Sequence, residues 1–135
     1  MTPNELLQLA RKVLTGDQTP VGANRSLVAA ILTRRALEAT LDEFWRGHLP
    51  GIIACSSRSQ LVTLPFYFPD QQLAAEAVYA WYALSESCHH SVSALPVPVS
   101  GVMHLIEITQ RLDDAVETVQ PIRGSSNARV VDNSG

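Results

Sequence analysis

Apolar positions recur along this chain every three to four residues, and Pro and Gly cut the pattern into blocks. The first block opens on Thr2-Pro3-Asn4-Glu5: Thr as N-cap, Pro at the first helical position and Glu three residues after the cap predict a helix. It runs to about Leu14, with Gly16 placed to stop it, and a short linker containing Thr19-Pro20 follows. Residues 22–48 then read as one long helix with Leu27, Ala30, Ile31, Leu37, Leu41, Phe44 and Trp45 on its inward stripe, ended by Pro50-Gly51. Ser56 and Ser57 cap a short helix over 57–64 that Pro65 breaks, and Phe66-Tyr67-Phe68-Pro69 forms an aromatic turn. Asp70 is placed to cap a long helix reaching about Val92, with Leu73, Ala77, Trp81, Leu84 and Cys88 inward. Leu95-Pro96-Val97-Pro98 cannot continue it, because two Pro so close remove donors and clash with the preceding turn. A last helix spans about 100–119, burying Val102, Leu105, Ile106, Thr109, Leu112 and Val116.

No segment shows sustained strand-like alternation, and there is no internal repeat. Short connections between long helices imply antiparallel neighbours, hence an all-α, up-and-down bundle of four to five helices. Residues 1–120 form one domain, and the tail 121–135, with Gly124-Ser125-Ser126-Asn127, has a disorder-like composition.

Composition narrows the picture further. At 135 residues and 46% hydrophobic the chain can bury a core of its own. It has no apolar run near the roughly 20 residues that span a bilayer, and no signal-peptide pattern at its N-terminus. A cytoplasmic protein with Cys55 and Cys88 as reduced thiols is expected. The net charge of −3 is unevenly spread. Residues 22–58 hold five Arg against Glu38, Asp42 and Glu43, whereas residues 59–120 hold Arg111 against seven acids. The acidic second half argues against tight nonspecific nucleic-acid binding, which needs a concentrated basic face.

Candidate chemistry gathers in two places. Arg34 and Glu38 lie four residues apart on the apolar stripe of the second long helix. They read either as an ordinary surface pair with Arg34 snorkelling to water, or as a polar cluster inside the bundle or at a dimer seam. Trp81 through Ser91 puts Cys88, His89 and His90 together at the end of the fourth helix. Adjacent helical side chains point about 100° apart, so His89 and His90 do not readily share one metal ion, and Cys88 and His89 do not form a nucleophile–base pair. A small-ligand or metal sensor built on Cys88-His89-His90 would have to borrow donors from His48, His104 or Cys55. No phosphate loop, nucleophile elbow or dinucleotide fingerprint is present, so no cofactor is expected.

Three pieces of the chain, in order, resemble the HEPN superfamily of helical-bundle domains, in particular a branch of small proteins common in actinobacteria. They are Thr33-Arg34-Arg35-Ala36-Leu37-Glu38-Ala39-Thr40-Leu41-Asp42, Ser57-Arg58-Ser59-Gln60-Leu61, and Trp81 through His90. The resemblance implies a homodimer. It also implies a metal-independent ribonuclease carrying Arg, four to six residues, then His on a late helix, with His as acid or base and Arg stabilising phosphate charge. This chain departs from that signature. Counting back from His89 or His90 meets Tyr82, Ala83, Leu84 or Ser85, and Glu86 and Ser91 stand where the branch implies Arg and His. A carboxylate there repels a scissile phosphate. The expected function is therefore that of a catalytically degenerate member acting through a protein partner in a stress-response or phage-defence assembly. The rival is an endoribonuclease with a rearranged site drawn from Arg34, Arg58, Glu38, His89 and His90, for which RNA would be the partner. Trp45, Trp81 and the Phe66-Tyr67-Phe68 turn are the aromatic groups available to an interface.

Overall fold

The computed structural model of the chain describes residues 1–16, 24–89 and 98–119, with the side chain of His89 excepted. Within them helix is the sole regular secondary structure, as the periodicity predicts: α1 (Pro3–Thr15), α2 (Arg25–His48), α3 (Ser57–Thr63), α4 (Gln71–His89) and α5 (Val99–Thr118), with 3-10 turns over Pro50–Ala54 and Leu64–Phe66.

The local stop and start signals act as read. The Thr2 hydroxyl accepts from the Glu5 N–H at 3.1 Å, and the Thr2 N–H donates to Glu5 Oε1 at 2.8 Å, closing a capping box. Gly16 ends α1 in the left-handed region at φ 90, where its N–H reaches back to the Lys12 and Val13 carbonyls. α2 starts at Arg25, with Asn24 Oδ1 accepting from the Leu27 N–H at 3.0 Å. That is later than the start expected near Gly22, which lies outside the described residues. Asp70 Oδ1 accepts from the Leu73 N–H at 3.0 Å to open α4, and the Gln71 amide ties down the aromatic turn through the Pro65 and Phe68 carbonyls. The expected extension of this helix to Val92 and the tail 121–135 also fall outside the described residues.

α2 is the central element. Arg34 stacks on Trp81 and Phe44 meets Phe68, so α2 and α4 are antiparallel. Tyr79 lies by His104 and Glu76 binds Arg111, so α4 and α5 are antiparallel too. α2 and α5 therefore run the same way, and they pack directly on each other. This pair divides the interior. On one side Leu37, Leu41, Phe44, Trp45, Leu61, Leu84 and Leu112 join α2, α3, α4 and α5. On the other Leu7, Ala10, Val13, Ala29, Ala36, Val102 and Ile106 join α1, α2 and α5.

Packing on both sides changes which α2 residues are buried. Ile31, expected on the inward stripe, is exposed, while Ala29, Thr33, Ala36 and Thr40 are buried. Small residues let α1 and α5 approach closely, and the buried hydroxyls of Thr33 and Thr40 donate to the carbonyls of Ala29 and Ala36 one turn back. Trp45 is fully enclosed and thus unavailable to an interface, whereas Phe66 projects into solvent.

Candidate functional site

The sequence-marked residues of α2, α3 and α4 meet at one rim of the bundle. Arg34 Nε lies 3.5 Å from Glu38 Oε2, and the two side chains are 28% and 34% exposed. The same Glu38 oxygen accepts from the Ser57 hydroxyl at 3.2 Å. The Arg34 guanidinium carbon sits 5.7 Å from the centre of the Trp81 ring, within cation–π range. The pair is thus an i,i+4 ion pair at a partly exposed rim rather than inside the bundle, with Ser57 and Trp81 reaching it from α3 and α4. Trp81 is half-buried rather than in the core, because its indole covers this rim. Its Nε1 has no hydrogen-bond partner, nor does the buried Ser85 hydroxyl one turn on.

Arg58 takes no part in the cluster; it is exposed on the first turn of α3, one residue past Ser57. His89 closes α4, but its side chain lies outside the described residues, as does the whole of His90. Cys88 is half-buried rather than in the core, Cys55 is exposed, and neither is in a disulfide. Among the described residues no three His, Cys, Asp or Glu side chains are placed to hold a metal ion, and no helix is long and apolar enough to cross a membrane.

Gln60 and Asp113 are among the buried polar residues that the hydrophobic pattern does not mark. Gln60, on α3, donates to Asp42 Oδ1 and to the Cys55 carbonyl, both at 3.3 Å, and so fastens α3 to α2. Asp113, on α5, is only 2% exposed. Burial pushes its carboxyl up to about 6, the charges of Glu117, Glu43 and Asp114 add to the rise, and the neighbouring Thr40 hydroxyl opposes it. The signal for it was present: Ile106, Thr109, Asp113 and Val116 follow the spacing of an inward stripe.

What the rim can do chemically follows from this geometry. A guanidinium already engaged by a carboxylate and a ring face is fixed in place but largely neutralised, a better strut between helices than a lure for phosphate. Neither a protein-family model, nor a curated protein, nor a solved structure matches this chain.

Proposed function

We propose that this chain is a catalytically degenerate HEPN-like module that works by protein–protein contact, first of all as a homodimer, in a stress-response or phage-defence assembly. The observation that carries the reading is the outer face of α4. From Leu73 to Leu84 every residue except Glu76 is apolar or aromatic. A helix apolar all round is normally covered all round. Here only one side packs inward, through Leu73, Ala77, Ala80 and Leu84. Tyr79 and Tyr82 remain 58% and 45% exposed, and Ile31 of α2 is exposed as well. Tyr79 and Tyr82 on such a face, with the exposed Glu86 one turn on, have the composition of a binding surface. Glu86 is exposed, and its negative charge disfavours RNA there.

Sedimentation equilibrium tests the reading. The expected result is a dimer, converted to a folded monomer by Tyr79→Glu with Tyr82→Glu. A wild-type monomer across the micromolar range overturns the homodimer. Incubation with tRNA and total RNA tests the rest: no cleavage is expected. Cleavage that is lost on His89→Ala or His90→Ala would instead establish the ribonuclease with a rearranged site.

A further inference from the structure

The last turns of α2 and α5 form a second polar feature, built from none of the residues of the α4 face. Because the two helices are parallel neighbours, they end side by side, and a cleft of about 330 Å³ opens between them. Phe44, Gly47 and His48 of α2 line it, with Val116 of α5 and Val119 just past the helix end. Glu43 and Glu117, one from each helix, complete the lining and are both exposed. Arg46, in the same turn of α2, is not part of the wall.

Negative potential from several sources converges here. Each helix presents its C-terminal carbonyls, equivalent to roughly half a negative charge per helix. Two glutamates add full charges, and the buried Asp113, one turn before Glu117, feels both of them. Phe44, Val116 and Val119 give the cleft an apolar side. The His48 ring stacks on Phe44 at 4.1 Å between centroids and 20° between planes. His48 Nδ1 lies 2.9 Å from the Phe44 carbonyl and so carries the proton that bonds to it. In the neutral ring Nε2 is then an acceptor, and it has no protein partner.

We propose that this cleft binds a small organic cation: a primary ammonium held between Glu43 and Glu117, on an apolar body resting against Phe44, Val116 and Val119. The chemistry excludes the alternatives in turn. An anion in the cleft would face two glutamates and two helix C-termini, and Arg46 does not line it. A divalent metal ion asks for six or more oxygen ligands, and no three ligating side chains gather among the described residues. A neutral molecule would leave the field unbalanced. The volume lies at the small end of ligand sites, about 300–1,000 Å³, suiting an arylalkylamine or short alkylamine.

The test titrates the full chain with phenethylamine and, in parallel, with its neutral isostere 2-phenylethanol, reading the Val116 and Val119 methyl resonances. Saturable shifts are expected with the amine, with affinity about tenfold above the alcohol's. The Glu43→Gln/Glu117→Gln double variant, at exposed positions, should keep its far-UV circular dichroism and bind the amine about tenfold more weakly. Equal affinity for the alcohol, absence of saturation, or unchanged binding by the double variant would each overturn the proposal. So would full displacement of the amine by equimolar magnesium, which would mark a metal site.

Discussion

A carboxylate with nearly all its surface covered, facing three others, is the least comfortable group in this molecule. Asp113 is raised from 3.8 to about 6, first by desolvation and then by Glu117, Glu43 and Asp114. Its folded value lies above its unfolded one, so the folded state binds the proton more tightly. Stability tied to this group is therefore complete below about pH 4 and lost as pH rises through about 6. The full swing amounts to at most about 3 kcal/mol. Asp113→Asn should raise stability at neutral pH and flatten its pH dependence between about 4 and 7, measured by urea unfolding at several pH values. An unchanged slope would place the titration elsewhere. The Arg34–Glu38 pair behaves differently, since both side chains are about a third exposed. Glu38→Gln should cost less than about 1 kcal/mol in the same measurement, because the cluster places Trp81 and Ser57 more than it stabilises the fold.

The helices themselves were legible because each carries its own punctuation. Thr2, Gly16, Ser56 and Asp70 all act where the sequence puts them, and Val102, Leu105, Ile106, Thr109, Leu112 and Val116 are all buried on α5. Hydropathy failed where a helix has more than one buried side. On α2 it favours Ile31 over Ala29 and Thr33, yet contact with α1 selects the small residues. On α4 it places Trp81 and Cys88 inward, and both are only half-buried. The candidate site was half legible for a related reason. Spacing pairs Arg34 with Glu38, but nothing in one sequence announces that Ser57 and Trp81 arrive from other helices. Two changes test the punctuation. Gly16→Ala forces a Cβ into a left-handed backbone and to within 3.0 Å of the Arg25 guanidinium, and should cost about 1–2 kcal/mol. Asp70→Ala removes the cap of α4 and should cost about 1 kcal/mol. Both are read from denaturant midpoints at constant slope.

Over the whole molecule, charge and packing set separate limits. With seven acids against Arg111 across residues 59–120, the α4–α5 side should repel nucleic acid. No gel shift of duplex or single-stranded RNA is expected at about 150 mM salt. A shift that persists there would show that the Arg-rich first half dominates. The parallel contact of α2 with α5 has a consequence for how the bundle comes apart. Among the described residues the apolar side of α1 belongs to one of the two interior clusters only, and its other ties to α5 are surface contacts of Asn4 and Arg11, so it can lift away while the other cluster stays closed. Amide exchange should then resolve two units: α1 opening at low free energy, and the partition it leans on surrendering its protons only when the entire chain unravels.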